Sequence, residues 1–173
     1  MNAHVVIGID RAGLVGEDGD THHGVFDISF LNSIPNIVIC MGKDNEEIRN
    51  LLYTGLYKQE KPFCIRYERA NLEYEKTEFK EIKVGTWEYL RKIDGCTSTV
   101  ISYGTDVAKL SEMLKDENIN IVNARYIKPI DKVILKELAK ENHKIYVYES
   151  NIKTNSLGTN VLEYFNHLEA TNK

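Results

Sequence analysis

Three short apolar runs place the strongest constraint on how this chain folds. Residues 4–9, 36–41 and 62–67 each hold at least four apolar side chains in near-unbroken succession, with β-branched Val5, Val6, Ile7 and Ile9 in the first. A strand without polar alternation has no face to offer to water, so it needs cover on both sides, as in a parallel sheet flanked by helices. The connecting segments supply that cover. Val25, Phe26, Ile28, Phe30 and Leu31 suit a short helix that stops before Pro35. After the second run, Asp44 and Glu47 stand at capping-box spacing ahead of Ile48, Leu51, Leu52 and Leu56, which predicts a helix with one apolar stripe. Strand, helix, strand, helix, strand is the order of a parallel βα unit.

At 173 residues the chain has room for one domain or two small ones. The apolar periodicity fades over residues 69–83, where Glu and Lys dominate. We therefore expect a first unit over residues 1–70, a linker at 71–80 and a second unit over 81–173. In the second unit, segments 85–93, 97–103, 119–125 and 144–149 read as extended. Thr105 or Asp106 can cap a helix carrying Val107, Leu110, Met113 and Leu114, and further helices are expected over 131–141 and about 156–166. The fold class is α/β, with two small parallel or mixed sheets. A parallel sheet of only three strands leaves edges or faces exposed, so we expect that additional sheet or a partner chain is missing from these residues. The ends of the chain also look raw, since the first strand has no helix before it and the last helix runs into a polar tail.

A net charge of −4 gives no electrostatic case for nucleic acid. No stretch approaches membrane-spanning length, and residues 5–9 are too short for a signal-peptide core. Cys40, Cys64 and Cys96 are odd in number and far apart, which reads as reduced thiols in a cytoplasmic protein.

The segment most suited to chemistry is the loop of residues 10–24. It holds four of the eleven glycines, together with Arg11, Asp10, Glu17, Asp18, Asp20, His22 and His23. Glycine permits dihedrals and close approaches that other residues refuse, so such a loop can bring backbone and ionisable groups to a polar ligand. In open parallel sheets that ligand sits at the carboxyl ends of the strands. Arg11 follows the first strand after one residue, and Arg69 follows the third after one residue. On neighbouring strands, the two guanidinium groups can meet one dianion, and phosphate suits paired bidentate donors. The competing reading has both arginines at the surface, paired with Asp10, Glu68 and other acids.

Adjacent His22 and His23 diverge in an extended loop, and His22 is the better placed to exchange a proton near neutral pH. Asp18 can orient that histidine or bond a substrate hydroxyl, and an Asp-Gly turn explains it equally well. A metal site from Asp10, Asp18, His22 and His23 is a weaker reading, because no rigid helix fixes their spacing. A phosphate-binding P-loop is excluded by the absence of a Gly-Lys-Ser/Thr ending. Arg125 with Lys128-Pro129 reads as a turn at a strand end, and Glu149-Ser150-Asn151 as a strand exit.

The run Asp10-Arg11-Ala12-Gly13 through His22-His23-Gly24 resembles the signature loop of the 1-deoxy-D-xylulose-5-phosphate synthases, thiamine-diphosphate enzymes of the transketolase superfamily. The likeness continues through Leu52-Tyr53-Thr54-Gly55 and Ile65-Arg66-Tyr67, then Tyr103-Gly104-Thr105 and residues 124–131. It implies that residues 1–70 are the later part of a pyrimidine-binding domain and that residues from 81 onward are most of a transketolase-type C-terminal domain. It also implies a function in condensing pyruvate with D-glyceraldehyde 3-phosphate, with loss of carbon dioxide. By the same resemblance Arg11 and Arg69 hold the triose phosphate, while Asp18 and His22 contact the acceptor and the bound intermediate.

The resemblance places the diphosphate- and magnesium-binding domain, and the glutamate that activates the aminopyrimidine, before Met1. Thiamine diphosphate and Mg are thus expected in a complete enzyme, a homodimer, with neither bound by these residues alone. The isolated chain is expected to be inactive. A C-terminal subunit of a split enzyme and a non-catalytic α/β binding or assembly module are the alternatives. One departure stands out: the family commonly reads Arg-Tyr-Pro-Arg-Gly where this chain has Arg66-Tyr67-Glu68-Arg69-Ala70, so the turn that aims Arg69 loses a constraint and gains a negative charge.

Overall fold

A computed structural model describes residues 3–71, 76–140 and 144–171 of the chain, with side chains to residue 168. The three apolar runs form β1 (Val6–Ile9), β2 (Val38–Met41) and β3 (Phe63–Arg66), all parallel, with β3 in the centre. Ile9 lies opposite Arg66 and Met41 lies opposite Arg66 from the other side, so the carboxyl ends of all three strands are level.

The sheet gains a fourth strand from far along the chain. Residues Tyr126–Lys128 (β7) pair antiparallel with β2, giving the order β1-β3-β2-β7. This corrects the reading of Arg125 to Pro129 as a turn. Tyr126 and Ile127 are fully buried, and a three-residue strand is too short to show a period in the sequence. The β2 edge, expected to need sheet or a partner from outside the chain, is thus covered from within it.

A second sheet has the order β4-β6-β5-β8, built from Glu88–Arg91, Asn120–Asn123, Ser98–Ser102 and Lys144–Val147. β5 runs parallel to β6 and β8, and β4 is antiparallel to β6. One buried cluster runs through both sheets, joining Ile39 and Phe63 to Trp87, Ile101, Tyr126 and Leu157. Trp87 donates its indole N–H to the carbonyl of Tyr126 at 2.8 Å, so the tie between the sheets is polar as well as apolar.

Five helices cover the sheets among the described residues: α1 (Asp27–Leu31), α2 (Asn45–Tyr57), α3 (Asp106–Met113), α4 (Lys132–Lys140) and α5 (Leu157–Thr171). Asp44 caps α2, accepting from the backbone N–H of Glu47 at 2.8 Å. The expected apolar stripe of α2 is only partly used. Leu51 is buried, but Leu52 and Leu56 are exposed, and the buried face instead carries Glu47, Asn50, Thr54 and Gly55.

The reason is the segment after residue 75, which lies along this helix. Asn50 and Thr54 accept the backbone N–H groups of Lys80 and Ile82 at 3.0 and 2.9 Å, and Phe79 stacks on Tyr53 with centroids 5.4 Å apart. Gly55 faces Phe63 so closely that a Cβ would lie 2.7 Å from the ring. Residues 72–75 of the expected linker lie outside the described residues.

Neither expected cap of α3 works through its side chain, since Thr105 bonds Glu68 and Asp106 pairs with Lys109. Asp131 caps α4 by accepting from Val133 and Ile134. Helix α5 runs about a turn beyond its expected end.

Candidate active site

Because β1 and β3 are hydrogen-bonded neighbours, the condition for the two strand-end arginines to meet is satisfied. Arg11 leaves β1 with a left-handed backbone, φ 58°, a conformation that costs a bulky residue about 1–3 kcal/mol and aims its side chain across the sheet end. Asp10 steadies that turn, accepting from the Arg11 backbone N–H at 2.7 Å and from its Nη1 at 2.6 Å. The Arg11 Nε donates to Asp18 Oδ2 at 2.8 Å, and Arg69 Nη1 donates to the other oxygen, Asp18 Oδ1. One carboxylate therefore sits between two guanidinium groups, in the place expected for a dianion. Glu17 lies 3.7 Å from Arg69 Nη2.

The loop that carries Asp18 is closed at its neck. Gly13 and Gly24 exchange two backbone hydrogen bonds of 2.8 and 2.9 Å. Gly13 adopts φ +80°, and a Cβ on Gly24 would lie 2.3 Å from the Arg11 carbonyl oxygen, so glycine is required at these two positions for different reasons. Between them run two single 3-10 turns, Gly16–Asp18 and Asp20–His22. The two histidines do diverge: His23 Nδ1 accepts from the Val15 backbone N–H at 2.9 Å and braces the loop, while His22 is exposed with Nδ1 3.0 Å from Thr21 Oγ1. Asp18 bonds the arginines rather than His22. The four side chains of the metal reading thus do not converge, and no cluster of three or more metal-ligating residues occurs among the described residues.

The Asp18 carboxyl is held below the usual carboxylate range, first by the Arg11 hydrogen bond and also by Arg69, with desolvation opposing. Its folded value lies below the unfolded value of about 3.9, so the clamp is complete above about pH 4 and weakens as the pH falls through the depressed value. A carboxyl-carbon NMR titration is expected to give Asp18 a midpoint below that of an ordinary aspartate. Arg11→Ala moves that midpoint up, and an unchanged midpoint contradicts the clamp.

Beneath the loop lies a feature that the sequence reading missed. Arg66, fully buried, donates from Nε to Asp27 Oδ2 at 2.5 Å and from Nη2 to Asp27 Oδ1 at 3.1 Å, with a third bond of 3.2 Å to the carbonyl of Gly24. It also lies over the ring of Tyr103, whose hydroxyl donates to Glu149. Glu149 accepts from the Leu157 and Gly158 N–H groups at the start of α5, where a carboxylate is favoured. The visible signal was a charged residue ending an otherwise apolar strand.

Residues 1–75 match the family model described as the pyrimidine-binding domain of transketolase, and residues 85–173 match that of the transketolase C-terminal domain. The chain is 45% identical over 169 residues to a 1-deoxy-D-xylulose-5-phosphate synthase of Aquifex aeolicus, covering 95% of this chain and 27% of that protein. It is 43% identical over 176 residues to the Bacillus velezensis protein of the same name, covering 97% and 27%. The chain thus spans about a quarter of the length of the curated relatives it matches. Among solved structures it resembles a split-gene transketolase described as an inactive β4 tetramer, with a TM-score of 0.77, 22% identity and coverage of 94% of this chain and 53% of that one. A transketolase from Leishmania mexicana aligns with a TM-score of 0.64 at 13% identity, covering 94% and 28%.

Proposed function

This chain belongs to the transketolase family, and we propose that it carries the acceptor-phosphate half of the active site of a 1-deoxy-D-xylulose-5-phosphate synthase. The observation that carries this reading is the convergence of Arg11 and Arg69 on one carboxylate at the ends of neighbouring parallel strands. A phosphate dianion has the charge and the acceptor geometry to take the place of Asp18 between the two guanidinium groups.

The reaction condenses pyruvate with D-glyceraldehyde 3-phosphate and releases carbon dioxide. Thiamine diphosphate, which we expect to be held with Mg by sequence other than these 173 residues, would supply the electron sink for the decarboxylation when bound. Arg11 and Arg69 bind the triose phosphate and fix the distance of its aldehyde from the phosphate end. Asp18, displaced from the arginines by the dianion, is then free to accept a hydrogen bond from a hydroxyl of the acceptor. To His22, exposed on the same loop, we assign the donation of a proton to the aldehyde oxygen as the carbon–carbon bond forms. We place this protein in the cytoplasm, working as a homodimer once complete; no helix among the described residues is long and apolar enough to cross a membrane.

The test is to join the chain to the N-terminal three quarters of the Aquifex aeolicus relative and measure carbon dioxide release that depends on glyceraldehyde 3-phosphate. Arg11→Ala is expected to raise the KM for that substrate about 10- to 100-fold, the equivalent of one charge-assisted hydrogen bond. His22→Ala should lower kcat instead. Activity insensitive to both substitutions overturns the site assignment, and a folded chimera without activity overturns the reading of the chain as part of this synthase.

A further inference from the structure

The least expected residue beside the anion site is Glu68. A carboxylate next to Arg69 should pair with that guanidinium and quench it, yet the ion pairs of Arg69 among the described residues run to Asp18 and Glu17. Glu68 points the other way and accepts a hydrogen bond from the Thr105 hydroxyl. Thr105 stands at the start of α3, where a threonine ordinarily caps the helix, but its side chain makes no capping bond. The turn is shaped for this contact. Gly104 has φ +65°, and a Cβ there would come within 3.3 Å of Glu68 Oε1 and 2.6 Å of Met41 Cε. Lys109, on the same helix, adds a favourable charge.

The backbone around Glu68 leaves Arg69 otherwise weakly directed. Tyr67 is pinned to the end of β1 and the loop that follows it, its N–H donating to Ile9 and its carbonyl accepting from Ala12, each at 3.0 Å. Beyond it the sequence Glu68-Arg69-Ala70-Asn71 contains neither proline nor glycine to impose a turn. The Glu68 side-chain bond across to Thr105 at the start of α3 is the first restraint that follows Tyr67.

We propose that Thr105 is a positioning residue for the anion site: its hydroxyl holds the Glu68 carboxylate away from Arg69, keeping that guanidinium available to a phosphate dianion. The inference rests on the reading of Arg11 and Arg69 as phosphate ligands, but its first consequence can be measured without any ligand. When the hydroxyl is removed, Glu68 loses its partner and competes with Asp18 for Arg69.

The test uses Thr105→Val, which keeps the side-chain shape, with Thr105→Ser and the double variant Thr105→Val/Glu68→Gln as rescues. In the intact chain, the Arg69 Nε–Hε NMR resonance is expected to shift in Thr105→Val and to return in both rescues. The affinity for inorganic phosphate should fall about fivefold to tenfold in Thr105→Val and recover in the same two variants. Recovery through Glu68→Gln separates the role from a structural one, because the neutral amide restores no packing but cannot quench the arginine. An Arg69 resonance unmoved by Thr105→Val, or moved and not restored by Glu68→Gln, overturns the proposal. If the resonance behaves as expected while the unsubstituted chain binds no phosphate, the holding of Glu68 by Thr105 stands and the phosphate reading of the site, with the role that rests on it, falls.

Discussion

Asp27→Ala is expected to lower the unfolding free energy of the chain by about 3–5 kcal/mol, the range found when one partner of a buried ion pair is removed. Arg66 has no exposed surface, and Asp27 is its only carboxylate partner among the described residues. Removing that carboxylate leaves a guanidinium with the Gly24 carbonyl, the Met41 sulfur and the face of Tyr103, none of which carries a compensating charge. Arginine cannot escape by losing its proton, so the cost falls on the fold.

Urea unfolding of the isolated chain measures it. The double variant Asp27→Ala/Arg66→Met tests the cause, because it removes the stranded charge and should recover much of the loss. A double variant no more stable than Asp27→Ala would show that the pair stabilises through something other than charge compensation.

The same pair shows where a sequence reading reaches its limit. The three parallel strands and the cap of α2 were legible because local chemistry encodes them: apolar runs favour extended chain, and the Asp44 carboxylate satisfies the orphan N–H of Glu47 three residues on. The expected burial holds for β2 and β3 but not for β1, which lies at the sheet edge with Ile7 and Gly8 exposed. Arg11 and Arg69 were legible as a pair because their distance from the strand ends is a local count, and the sheet order then brought them together.

The Arg66–Asp27 pair spans 39 residues, and the Thr105–Glu68 bond spans 37, with nothing in either segment to announce the other. The polar face of α2 was hidden for a related reason. Asn50 and Thr54 look solvent-facing in the sequence, and only the backbone of Lys80 and Ile82 lying against them makes their burial affordable. Leu52 and Leu56 pass correspondingly to the surface.

Gly24→Ala should disable the site while leaving most of the fold in place. The added Cβ would lie 2.3 Å from the carbonyl oxygen of Arg11, 3.0 Å from the Ala12 Cα and 3.1 Å from the Arg11 carbonyl carbon. All three contacts are backbone, so no side chain can rotate out of the way. The strand end that carries Arg11 must move, or the Gly13–Gly24 hydrogen bonds must open.

Either response changes the distance between Arg11 and the Arg69 side, and a displacement near 1 Å at a reacting site costs about 100-fold in rate. The clash also reaches the buried layer, because the Gly24 carbonyl is one of the three oxygens bonded to Arg66. Amide exchange at Gly13 and Gly24 in the isolated chain, and acceptor-dependent turnover in the assembled enzyme, should therefore change together.

Gly16→Ala is the matched control: it lies in the same loop, has nothing within 4 Å of its Cβ position, and should change neither. Equal behaviour of the two variants would mean that loop flexibility, rather than the close approach of Gly24 to Arg11, is what the glycines provide. A loss confined to Gly24→Ala ties the glycine at the loop's closing end to the aim of the arginine at its opening.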